Sequence, residues 1–213
     1  TASALATLDE ISGGAMDFGN GRGDSSVRSL GQPPTTMKTL EQAATVIRDL
    51  VEGRTVVRDG TPLSLPWTGA WRLPTWIAGY GPMALALTGR IADGLILQLA
   101  DPDLVRWMVG QMHASAEQAG RDPASIQVQA AAPAHVGAIE ASRDHVRWFP
   151  AAVRGHITEL VSRYPSDELP ASLTGYLRDR AGDEERSRSE FGTADAASVT
   201  DAIVDRLAIV GPP

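Results

Sequence analysis

Residues Trp76 to Leu97 read WIAGYGPMALALTGRIADGLIL, and this stretch decides the fold. An apolar run from Pro74 to Ala78 predicts a buried strand. Gly79-Tyr80-Gly81-Pro82 breaks the strand and opens a helix, because proline is tolerated in a first turn. The helix, Met83 to Ala92, carries Leu85, Leu87 and Ile91 among small residues. Ala92-Asp93-Gly94 closes it, and Leu95 to Leu99 resumes as a strand. This is a βαβ unit. Its first turn presents backbone N–H groups at a helix N-terminus, where unpaired amides and the helix dipole favour an anion, most often a phosphate.

Outward from this unit the chain keeps alternating. Ser3 to Ile11 predicts a helix ended by Gly13-Gly14, then Ala15 to Gly19 a short strand and Asn20 to Leu30 a loop rich in glycine and serine. Pro33-Pro34 makes Gln32 to Thr36 irregular. Thr39 to Glu52 has helical apolar spacing and stops at Gly53. Arg54 to Pro74 is a loop with a short hairpin around Asp59-Gly60. A helix from Leu104 to Ala119, capped near Asp101 or Asp103, leads to a strand from Ile126 to Ala132 that Pro133 ends. Ser142 to Tyr164 is helical with a break near Pro150, Leu169 to Arg180 is a shorter helix, and Ala181 to Ala194 a charged loop. Val199 to Leu207 is a last helix before Ile209-Val210. Alternating strands and helices imply a parallel sheet or barrel.

Composition narrows the function classes. With 43% hydrophobic and 21% charged residues, the 213-residue chain has an ordinary globular balance and enough length for one core. A net charge of −7 argues against broad binding to nucleic-acid backbones. No apolar run reaches the roughly 18 residues of a membrane span. Zero cysteines exclude disulfides and thiolate metal sites and fit a reducing cytosol, so a cytoplasmic location is expected. The four histidines, His113, His135, His145 and His156, show no metal-ligand spacing, and no metal is expected. His135, after the Ile126 strand, is the one placed to face a barrel mouth. Lys38, the only lysine, lies outside any phosphate-loop motif.

The strand-A-x-x-G-P turn, its helix and the following R-x-A-D-G strand resemble the flavin- and deazaflavin-dependent oxidoreductases related to bacterial luciferase. Thr1 to Ser26, TASALATLDEISGGAMDFGNGRGDSS, is similar to that family's A-T-L-D-x-x-S-G-G helix end and G-x-G-x-G-[DE] turn. The stretch from Trp148 to Gly211 is more loosely similar to the C-terminal part of members that use coenzyme F-420. The resemblance implies an α/β fold, a (β/α)8 TIM barrel of the bacterial-luciferase-like type. Such barrels take about 250 residues. The chain opens within a helix at Thr1 and stops just after Gly211-Pro212, so residues 1–213 read as one partial barrel domain, incomplete at both ends. The resemblance also implies an insertion at about residues 165–198, and catalytic and ring-binding residues on first strands that this stretch lacks.

Carried over residue by residue, the resemblance implies that Ala78, Gly79, Tyr80 and Gly81 approach the cofactor's phosphate and ribityl chain at the C-terminal end of a barrel strand. A plain strand-to-helix turn is the simpler alternative. Tyr80 stands where relatives often have glycine or serine, and its ring either packs on the cofactor or narrows the approach. Arg22, Gly23, Asp24, Ser25 and Ser26 would run beside the ring and side chain, with Asp24 the candidate for acid–base catalysis. The commoner role for Asp-Ser-Ser is an Asx turn or helix cap. Asp17 and Asn20 depart from the pattern by standing where relatives have aliphatic strand residues, and a buried unpaired carboxylate costs several kcal/mol. Arg178 to Arg188 reads as a solvated loop of mixed charge, or as a contact for the anionic cofactor tail. Trp67, Trp71 and Trp148 either line a substrate pocket or anchor structure.

The function implied is hydride transfer between reduced coenzyme F-420 and a small organic substrate, in a homo-oligomer that binds neither nucleic acid nor membrane. An FMN-dependent monooxygenase is the alternative on the same scaffold. A third reading is a non-catalytic barrel remnant acting as a binding or partner subunit, since open strand edges favour association.

Overall fold

In the computed structural model, residues 1–23, 27, 30–69, 71–151, 153, 196 and 199–213 are described. The elements are α1 (Ala2–Ser12), β1 (Phe18–Gly21), α2 (Met37–Val51), β2 (Val56–Arg58), β3 (Thr61–Leu63), β4 (Thr75–Ala78), α3 (Pro82–Ile91) and β5 (Gly94–Leu97). They continue with α4 (Pro102–Gln118), a 3-10 turn (Pro123–Ser125), β6 (Gln127–Ala130), β7 (Ala134–Val136), α5 (Ile139–Val146), α6 (Asp201–Leu207) and β8 (Ile209–Gly211). The predicted helix of residues 169–180, the charged loop after it and the insertion at 165–198 fall almost wholly outside the described residues.

Two compact units divide the chain, one formed by Thr1–Ile96 with Gln111–Gln129, the other by Leu97–Gly110 with Ala130–Pro213. In the first, β1 and β4 pair in parallel, as do β4 and β5, within a sheet ordered β1-β4-β5-β6. Ile77 of β4 is buried with Leu40 and Ala44 of α2 and Leu87 of α3, so one sheet face carries the helices. Phe18 and Leu73 join Ala6 and Val51 in a neighbouring cluster that seats α1. Because side chains alternate along a strand, Trp76 and Ala78 project from the opposite face.

Local chemistry explains several boundaries. Gly13 ends α1 in the left-handed conformation at φ 69°, and Gly14 N–H donates to Asp9 O as in a helix-terminating turn. Thr36 caps α2 by accepting the Thr39 N–H. Asp59 and Gly60 both adopt positive φ, 49° and 76°, as a two-residue hairpin turn between β2 and β3 requires. Asp101 settles the open choice of cap for α4, because its Oδ1 accepts from both Asp103 and Leu104 N–H.

One strand prediction needs correcting. The first strand begins at Phe18, not Ala15, because its pairing starts where Phe18 N–H donates to Pro74 O. The strand after Ile126 runs from Gln127 to Ala130 and is over before Pro133. Ala131 N–H donates to Leu97 O, Pro133 O accepts from Ile209 N–H, and β7 then pairs in parallel with β8 in a separate sheet. The helix break predicted near Pro150 falls instead at Arg147, after α5.

Candidate active site

β4 delivers the glycine turn to the C-terminal edge of the sheet. Ala78 is exposed, whereas Gly79, Tyr80 and Gly81 are half-buried. Gly79 N–H continues the sheet pairing by donating to Ile96 O at 3.3 Å. Its need for glycine is packing, since a Cβ here would stand 2.7 Å from the Ala84 Cβ on the first turn of α3. Gly81 is different. It holds extended backbone (φ −78°, ψ 158°) as the N-cap of α3, and a Cβ there would meet nothing within 4 Å.

No side chain caps α3. Ala84 and Leu85 N–H turn inward to Gly81 O, while the amides of Gly81 and Met83 bond to none of the described residues. With Pro82 at the first helical position there is no third donor to place. Open space, outward amides and the positive end of a helix suit an anion of phosphate size.

β1 brings the second predicted segment beside the first. Gly21 is in register with Ala78, and a Cβ on Gly21 would lie 3.5 Å from the Ala78 Cβ. Beyond it, Arg22 Nε donates to Thr35 O at 2.7 Å, and Thr35 N–H returns a bond to Arg22 O. This pair ties the loop to the approach of α2. Gly23 turns at φ 74°, and its carbonyl accepts from Val27 N–H. Arg22 and Gly23 therefore share one sheet edge with Ala78 to Gly81. Asp24, Ser25 and Ser26 lie outside the described residues.

Below that edge the face opposite α2 and α3 is lined by glycine. Trp76 is flanked in register by Gly19 on β1 and Gly94 on β5, and the indole lies directly over Gly94, where any side chain would collide with the ring. The expected cost of polar strand residues does not arise. Asp17 is exposed just ahead of β1, and Asn20 Oδ1 accepts the Gly21 N–H at 2.9 Å.

Other candidates have surroundings of their own. Trp71 packs on Gly14 at the approach to β1, the end of the strand opposite the glycine turn. Trp67, in the same loop into β4, is exposed. Trp148 makes an edge contact with Phe149 at 5.7 Å between ring centres. His135 turns to α5. Its Nδ1 lies 3.0 Å from the buried Ser142 Oγ on α5, and its ring stacks on His145 at 4.3 Å. Among the described residues no group of three His, Cys, Asp or Glu side chains gathers as a metal site.

Two supporting residues escaped the sequence reading. Asp93 bonds backbone to backbone with Thr75, accepts Thr75 N–H on Oδ2 and Arg72 Nη2 on Oδ1, and its carbonyl accepts Gln127 N–H. Arg121 gathers carbonyls at the C-terminal end of α3. The A-D-G spelling signals the first, but an arginine 29 residues beyond Ala92 carries no local signal.

The model of the luciferase-like monooxygenase family matches residues 1–213. The chain belongs to the luciferase-like monooxygenase family. A 5,10-methylenetetrahydromethanopterin reductase of Methanolobus tindarius is 28% identical over 225 residues, covering all of this chain and 65% of that protein. Among solved structures, the coenzyme F-420-dependent tetrahydromethanopterin reductase of Methanopyrus kandleri superposes with a TM-score of 0.69 at 20% identity, over 97% of this chain and 64% of that one. An F-420-dependent secondary alcohol dehydrogenase, solved with an F-420–acetone adduct, gives 0.58 at 18% identity, over 99% of this chain and 61% of that one. The luciferase-like chain thus spans under two thirds of the length of these relatives, and its fold is theirs, the luciferase-like TIM barrel.

Proposed function

We propose that this chain is part of an oxidoreductase that binds coenzyme F-420 and serves hydride transfer to or from a small organic substrate. The observation that carries the reading is the pairing of two glycine turns on one strand edge beside the uncapped N-terminus of α3. The likeness to a reductase and a secondary alcohol dehydrogenase that depend on F-420, and to a 5,10-methylenetetrahydromethanopterin reductase, supports it.

The residues present fit the phosphate-bearing side chain of such a cofactor. Gly81, with Met83, holds its phosphate through the amides at the start of α3, Gly79 and Tyr80 lead the chain past it, and the absence of a Cβ at Gly81 leaves room for it. Ala78 and Gly21, paired in register across the strands, floor the ribityl chain. Arg22, Gly23, Asp24, Ser25 and Ser26 flank the ring, with Asp24 as the acid–base group. The deazaflavin ring supplies the two-electron chemistry when bound, and the protein's contribution is to orient it and exclude water. The working form is a cytoplasmic homo-oligomer.

The family's description favours one second reading, an FMN-dependent monooxygenase, in which the same turn takes the FMN phosphate. Separate fluorescence titrations with F-420 and FMN decide between them. Micromolar binding of F-420 with weak FMN binding supports hydride transfer; the reverse preference supports the monooxygenase. Binding of neither by folded protein rejects both and leaves the glycine turns structural.

A further inference from the structure

Helix α3 is anchored at the end remote from the proposed phosphate site. Arg121 Nη1 donates to Gly89 O at 2.7 Å and more distantly to Thr88 O, while its Nη2 donates to Ala92 O at 2.6 Å. From the other flank, Arg48 of α2 donates through Nη1 to Ile91 O at 3.0 Å. The same half of the helix is pressed onto residues 111–118. A Cβ on Gly89 would stand 2.5 Å from Met112 O, and Ser115 Oγ donates to Ala86 O at 2.9 Å. At the opposite end α3 has no side-chain cap, Met83 is exposed and the space beside Gly81 is open.

We propose that Arg121, assisted by Arg48, is a positioning residue for the cofactor's phosphate, setting where the N-terminal amides of α3 stand by fixing the helix at its C-terminal end. This rests on the phosphate reading of the α3 N-terminus given above. A 10-residue helix is about 15 Å long, beyond the screening length of about 8 Å at physiological salt, so the guanidinium charge barely reaches the phosphate directly. Placement is the route left. Guanidinium suits the task because its planar fork takes several carbonyls at fixed angles, where an ammonium acts as a point charge. The asymmetry follows: rigid fastening at one end leaves the other with amides that none of the described residues occupies.

The test compares affinities for a phosphorylated ligand and its phosphate-free counterpart, FMN with riboflavin, or F-420 with its phosphate-free deazaflavin nucleoside. Arg121→Met is expected to weaken the phosphorylated ligand about tenfold, some 1.4 kcal/mol, and its counterpart less than about twofold, with Arg121→Lys in between. Equal weakening of both ligands would make the residue merely structural and overturn the proposal. So would an unchanged ratio. Binding of neither ligand by wild-type protein would reject the cofactor reading, and a titration with inorganic phosphate followed by amide NMR then decides separately. Shifts at Gly81 and Met83 that weaken in Arg121→Met support the proposal; their absence from the wild type, or persistence in the variant, overturns it.

Discussion

Arg206 Nε lies 2.5 Å from Asp101 Oδ2, while the other oxygen of that carboxylate caps the first turn of α4. One buried side chain thus joins an ion pair to a helix cap, and the two functions separate by mutation. Asp101→Ala removes both and is expected to cost about 2–4 kcal/mol, since cap loss is typically about 1 and a broken buried pair several. Arg206→Met leaves the cap intact and should cost less. Urea unfolding of the two variants orders them, and equal losses would contradict the division.

Acid should loosen the packing of α5 against α6. Hydrogen bonding to the Arg143 guanidinium holds the Asp205 carboxyl below its ordinary range, and Arg106 and Arg206 do the same for Asp103. A carboxylate whose folded pKa is depressed contributes stability that is fully present above its unfolded value, about 3.9, and is lost as pH falls through the folded one. The urea midpoint is therefore expected to drop on acidification below about pH 4. Asp205→Asn should flatten part of that slope, and added salt should shrink it.

Gly79 and Gly81 lie two residues apart and predict opposite phenotypes. Gly79→Ala forces Ala84 and the first turn of α3 away from the end of β4 and should destabilise by about 1–3 kcal/mol. Gly81→Ala meets open space and should cost about 1 kcal/mol or less. Its methyl stands where a phosphate would, so cofactor affinity should fall all the same. Thermal melts paired with FMN or F-420 titration separate the two effects.

The indole of Trp76 reports on the sheet beneath it. Gly94→Ala must displace the ring, with an expected loss of about 1–3 kcal/mol and a red shift of tryptophan emission. Replacing Trp71 by alanine should leave cofactor affinity unchanged, because it packs on Gly14 at the other end of the strands.

The parts of the fold set by neighbours in sequence were legible. The α1 stop at Gly13-Gly14, the hairpin at Asp59-Gly60 and the βαβ unit around Gly79 follow from local periodicity and turn chemistry. The β7–β8 pair was not legible, because Ile209, which donates to Pro133 O, lies 76 residues on. The exposure of Asp17 was hidden likewise, since it depends on where pairing begins. The site divides likewise. Glycines marked the turn, yet Gly79 needs its missing Cβ for Ala84 rather than for positive φ. Trp71 and His135 could not be assigned an end or a face before their contacts with Gly14 and Ser142 were known.

Asp93 fastens β4, β5 and β6 where those strands begin, through Thr75, its own backbone and Gln127. The glycine turn leaves β4 at the other extremity. Under the proposed function, foldability and reactivity are thereby lodged at opposite poles of the same strands. Descendants of such a chain can rewrite the loops at the reactive pole, exchanging one substrate for another, while the stitch that keeps the strands in register goes untouched.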